Sequence, residues 1–121
     1  MTEFEKMVSG LNYNALDSEL RQLRVSARLA CAKYNAHPSR GNMKHIKRLF
    51  RCSGHVVLEP GFQCDYGVNV ELGDNFYANF HCVLLDAAMI KIGDDVLLGP
   101  GVHIYTSDHP KDAEERRQGM R

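Results

Sequence analysis

The side chains with the types and spacing to do chemistry here are a histidine, an asparagine and three aspartates lying near turns. His109 falls in the polar segment SDHPKD, where Pro110 restricts the backbone, and imidazole is the side chain best matched to taking a proton near neutral pH. Asn79, in NFYANF, carries an amide able to donate to a developing oxyanion or to hold an acceptor hydroxyl. Asp17, Asp65 and Asp86 can each accept hydrogen bonds from vicinal hydroxyls. Each of the five also has a structural reading, as a loop histidine, an asparagine ladder at a corner, a helix cap or a turn carboxylate. Other constellations are missing: neither GxxxxGK[ST] nor GxSxG occurs, so phosphate-loop and serine-elbow chemistry are not indicated. Lys44, His45, Lys47, Arg48 and Arg51 form a basic cluster that could meet a phosphate, although cations there also suit a helix C-terminus and solubility.

Composition narrows the classes further. The 121 residues fit one domain, and 15 Lys and Arg balance 15 Asp and Glu, which leaves no whole-chain bias toward nucleic acid or acidic lipid. With 44% hydrophobic and 25% charged residues, the chain has the makeup of an ordinary globular protein. No apolar run is long enough to span a bilayer, and MTEFEKM does not read as a signal peptide, so a cytoplasmic location is expected. Cys31, Cys52, Cys64 and Cys82 form no CxxC pair and are expected as reduced, mostly packed thiols.

Two periods divide the elements that must position these groups. Residues 1 to 51 read as three small helices. Thr2 and Glu5 have capping-box spacing ahead of Phe4, Met7, Val8 and Leu11, and Gly10 ends that pattern. Asp17 or Ser18 can cap a second helix with the stripe Leu16, Leu20, Leu23, Ala27, Ala30 and Tyr34, and Met43, Ile46, Leu49 and Phe50 make a third stripe after Pro38 and Gly41. From residue 56 the period becomes six, with Leu58, Cys64, Val70, Phe76 and Cys82 recurring. Residues 70–89 also align with residues 90–109, pairing Val70 with Ile90, Leu72 with Ile92, Gly73 with Gly93 and Asp74 with Asp94. The offset of 20 exceeds three hexads by two residues, which fit a bulged corner around Asp86 and Ala87. Hexads of this kind mark a parallel β-helix of three-sided coils, with the aliphatic residue inward and Gly73, Gly93, Asn75 and Asp94 at corners.

With EKMVSGLNYNALDSEL, CDYGVNVELGDNFYANFHCVLLD and IGDDVLLGPGVHIYTSDHP on the page, the chain resembles the maltose and galactoside O-acetyltransferases of the hexapeptide-repeat superfamily along nearly its whole length. The resemblance implies a mostly β fold: a left-handed parallel β-helix over residues 56–121, preceded by a helical region over residues 1–55. It implies a homotrimer with active sites in clefts between prisms, and direct acetyl transfer from acetyl-CoA, a cosubstrate and not a resident cofactor, to a sugar hydroxyl. By position, the family's motif histidine falls on His109 as general base. The motif asparagine falls on Asn79, with a catalytic and CoA-facing role, and acceptor contacts fall on Asp65, Asp86 and Asp17. Asp65, where the galactoside branch has serine, and Ala87, where it has a second aspartate, lean toward the maltose branch. His81, His103 and His109 lack the close pair of the zinc triad in hexapeptide-type carbonic anhydrases, so no metal is expected. Family members continue for roughly sixty residues more, so the alternative expectation is a truncated, catalytically silent fragment with an open coil end, acting as an oligomerisation or interaction module.

Overall fold

The structure, a computed structural model, describes residues 1–106. Three helices, α1 (Glu3–Val8), α2 (Ser18–Ala36) and α3 (Arg40–Lys47), precede eight short strands: β1 (Val56–Leu58), β2 (Gln63–Cys64), β3 (Val70–Leu72), β4 (Phe76–Ala78), β5 (Val83–Leu85), β6 (Ile90–Ile92), β7 (Leu97–Leu98) and β8 (His103–Tyr105). The expected capping box is present, with Thr2 Oγ1 accepting from Glu5 N and Glu5 Oε1 from Thr2 N. Asp17, and not Ser18, caps α2, accepting from the N–H groups of Glu19 and Leu20. Leu16 therefore precedes the helix, and it is exposed instead of joining the apolar stripe.

Each strand pairs in parallel with the strand three further on, in the sheet orders β1-β4-β7, β2-β5-β8 and β3-β6. This is a three-sided parallel coil. Every register is offset by the anticipated 20 residues, as in Val56↔Phe76, Val83↔His103 and Val70↔Ile90. Coil pairing already begins at Arg51, which bridges to Glu71 ahead of β1. All five hexad residues, Leu58, Cys64, Val70, Phe76 and Cys82, are buried. Short parallel strands hold because successive levels satisfy each other's backbone groups while inward apolar side chains, such as Val56 and Leu58 or Phe76 and Ala78, fill the prism.

The corners follow two rules. Asn75 and Asp95 take left-handed φ values of 58°, and Gly61, His81 and Gly101 do so in another 20-residue column. Of the expected corner residues, only Asn75 is left-handed; Gly73, Gly93 and Asp94 are not, and Asp94 has another part. Its carboxylate instead accepts from Asp74 N, as that of Asp74 does from His55 N, one level below. Gly73 is needed for close approach, because a Cβ there would strike Asp94.

Helices and coil share one core, in which Ala27, Cys31, Tyr34 and Ile46 pack with Leu58, Phe62, Cys64 and Phe76. Asn35 fixes α2 to the first corner, donating to Phe62 O and accepting from Gly61 N. The four cysteines are free thiols, three of them buried, with Cys31 and Cys64 in contact at 3.9 Å between sulfurs.

Candidate functional site

The two surplus residues per coil form the corner that docks the N-terminal helices. Tyr66 emerges from this corner and packs with Met7, Ala15, Leu20 and Ala87. Its hydroxyl accepts from Arg24 Nη1 at 2.8 Å, while Arg24 Nη2 donates to Ala15 O at 2.6 Å. A guanidinium buried on helix α2 thereby ties the loop ahead of Asp17 to the coil. Asp17, half-buried at its helix cap, and Asp65, half-buried at the end of β2 next to Tyr66, flank this docking cluster. Asp65 lies at one edge of the β2-β5-β8 face.

Asp86 lies inside the same corner and has a different part. It is fully buried, and its two carboxylate oxygens accept from Tyr66 N at 2.8 Å and Asn69 N at 3.1 Å. Asn69 returns a hydrogen bond to Asp86 O. Burial pushes the Asp86 carboxyl above the ordinary aspartate range, against the pull of the N–H groups of Tyr66, Gly67 and Asn69. With no exposed surface and both oxygens engaged, this side chain holds the corner.

Asn79 stands at the opposite edge of that face, in the corner between β4 and β5. Its 20-residue column is Glu59, Asn79, Gly99, so it belongs to no asparagine ladder. Asn79 Oδ1 accepts from Phe80 N at 2.8 Å, which engages the amide oxygen and leaves the NH2 group as the donor end. Beside it Tyr77, one of the residues sequence reasoning passed over, donates through its hydroxyl to Glu59 Oε1 at 3.1 Å. Partial burial and then the Glu59 carboxylate raise the Tyr77 phenol, so it keeps its proton. The signal for Tyr77 was its outward parity within NFYANF; its Glu59 partner comes from one coil earlier and left no local trace.

The strand order places Asp65 at one edge of the β2-β5-β8 face and Asn79 with Tyr77 at the other, while Asp17 caps the helix docked beside Tyr66. His109 lies outside the described residues. Among the described residues no cluster of three or more His, Cys, Asp or Glu could hold a metal, and no helix is long and apolar enough to cross a membrane.

Comparison with known proteins matches residues 6–54 to the family described as the maltose acetyltransferase hexapeptide capping motif. Nodulation protein L of Rhizobium meliloti is 40% identical over 98% of this chain and 67% of its own length. The crystal structure of a maltose O-acetyltransferase from Clostridium difficile superposes with a TM-score of 0.91 at 39% identity, over 99% of this chain and 66% of that one. A hexapeptide-repeat acetyltransferase from Vibrio cholerae, solved with acetyl-CoA, gives 0.80 at 32% identity, over 97% of this chain and 65% of that one. The chain spans about two thirds of the length of the relatives it matches.

Proposed function

The chain belongs to the maltose and galactoside O-acetyltransferase family of hexapeptide-repeat acetyltransferases, and from that premise we propose that it transfers the acetyl group of acetyl-CoA to a sugar hydroxyl. In this reading the coil is left-handed, the protein works in the cytoplasm, and sites form where prisms of a homotrimer meet. The separated half-sites support self-association. A cleft between two prisms can set the Asp65 edge of one copy against the Asn79–Tyr77 edge of the next, which a monomer cannot do.

His109 acts as general base. It takes the sugar hydroxyl proton as that oxygen attacks the thioester carbonyl; the carbon–sulfur bond then breaks, and the proton passes to the leaving thiolate to give CoA and the sugar acetate. The observation that carries the reading is the Asn79 amide, whose oxygen is engaged by Phe80 N so that its NH2 group is left as the donor an oxyanion needs.

Asn79→Ala in the intact enzyme should lower kcat for acetyl transfer to maltose or a galactoside by about 10²-fold. Asn79→Asp, which keeps the shape without the donor, should do the same. A change confined to the KM for acetyl-CoA would refute the oxyanion role. Asp65→Ser should shift acceptor preference between maltose and galactoside, read as a ratio of kcat/KM values. An unchanged ratio removes Asp65 from the acceptor site.

A further inference from the structure

The α2–α3 end of the molecule carries an unexplained charge distribution. From residue 20 to residue 58 there is no Asp or Glu, yet nine of the fifteen Lys and Arg residues fall there, so a neutral chain has one strongly positive end. A groove of about 570 Å³ opens in the middle of it, between α3 and the outer side of β1. Its size suits one small-molecule ligand.

The groove has two unlike walls. Arg40, Lys44 and Lys47 stand at i, i+4 and i+7 on α3 and therefore share one helical face toward the groove. None of the three pairs with a carboxylate among the described residues, where the ion pairs are Lys6 with Glu3 and Lys91 with Glu71. The groove's one carboxylate, Glu59, accepts from Tyr77. The other wall is apolar, made by Met43, Val57 and Pro60. A row of unpaired cations facing an apolar floor complements neither a neutral sugar nor a bare inorganic ion, but a molecule that carries both an anion and a hydrocarbon stretch.

We propose that this groove is a second binding site, separate from the acetyl-transfer reading, for an amphiphilic small-molecule anion whose phosphate or carboxylate sits on Arg40, Lys44 and Lys47 while its apolar chain lies along Met43, Val57 and Pro60. The site draws its charge and Met43 from α3 and the rest of its floor from the first coil, so it exists only where the helical region is docked.

The test is titration of the protein with dodecyl phosphate below its micelle concentration, followed by calorimetry and by backbone amide shifts. Saturable one-to-one binding is expected, with shifts concentrated at Met43, Lys44, Lys47 and Val57. The double variant Lys44→Gln, Lys47→Gln, compared with the parent at a temperature where circular dichroism shows both folded, should bind at least about tenfold more weakly. Neutral dodecyl maltoside and inorganic phosphate should each bind at least about tenfold more weakly than dodecyl phosphate. Equal binding of inorganic phosphate, or an unaffected double variant, would overturn the proposal. So would capture by acidic phospholipid vesicles without binding of the monomeric amphiphile, which would assign the positive end to a membrane surface.

Discussion

Asp86→Ala should cost more stability than any other single change to a polar residue of the coil. The carboxylate is fully buried and accepts from Tyr66 N and Asn69 N, with Gly67 N as a third donor. Alanine would leave these amides buried without an acceptor at about 1–3 kcal/mol each, or roughly 3–9 kcal/mol together. That is a large share of the about 5–15 kcal/mol by which domains of this size are stable. The thermal midpoint should drop on the order of 10 °C or more. Asp86→Asn should fall between, because its oxygen can serve one amide while its NH2 group opposes another. The pH dependence provides a second readout. The folded-state pKa is raised, so as pH falls the folded protein binds the Asp86 proton before the unfolded chain does, and this group's contribution to stability grows toward acid. The gap in thermal midpoint between the parent and Asp86→Asn should therefore widen from pH 7 toward pH 4. An Asp86→Ala midpoint within about 2 °C of the parent would show that the corner does not depend on this carboxylate.

The Asp86 corner also marks how far local sequence carries. The coil was legible because each side of the prism turns a buried apolar residue inward: Leu58, Cys64, Val70, Phe76 and Cys82 repeat at six because the prism has three sides. The 20-residue offset, with its surplus at Asp86 and Ala87, was legible because Gly73-Asp74 and Gly93-Asp94 recur as a pair. What that surplus does was not. Tyr66 reaches Arg24 across 42 residues, a contact that depends on how α2 docks, and Asp86 closes on Asn69 across 17, a contact between coil levels that does not follow the 20-residue offset.

The site divides along the same line. Asp17 reads as a cap from its position before Ser18 and Glu19, and the structure bears out the cap. Asn79 reads equally well as a ladder residue or a donor until the column Glu59, Asn79, Gly99 is known, since a ladder needs asparagine on adjoining levels. The segregation of Asp65 and Asn79 to opposite edges of one face is a property of the strand order. No spacing along the chain distinguishes it from a single cleft.

Replacing His109 with alanine should produce the largest loss of activity, about 10²- to 10⁴-fold in kcat. A sugar hydroxyl is almost wholly protonated at neutral pH, so without a base the thioester meets a poor nucleophile, however well Asn79 stabilises the oxyanion. Binding should change little: the KM for acetyl-CoA should stay within about threefold, because the lost interaction is made as the proton moves. The parent rate should fall toward acid as the imidazole becomes protonated, and that limb should vanish in His109→Ala. Combining His109→Ala with Asn79→Ala should cost less than the product of the single losses if both act on one tetrahedral intermediate. Near-parent turnover by His109→Ala, measured as thiol release with a maltose or galactoside acceptor, would move the base elsewhere. Fully multiplicative losses in the double variant would mean that the two side chains do not serve the same step.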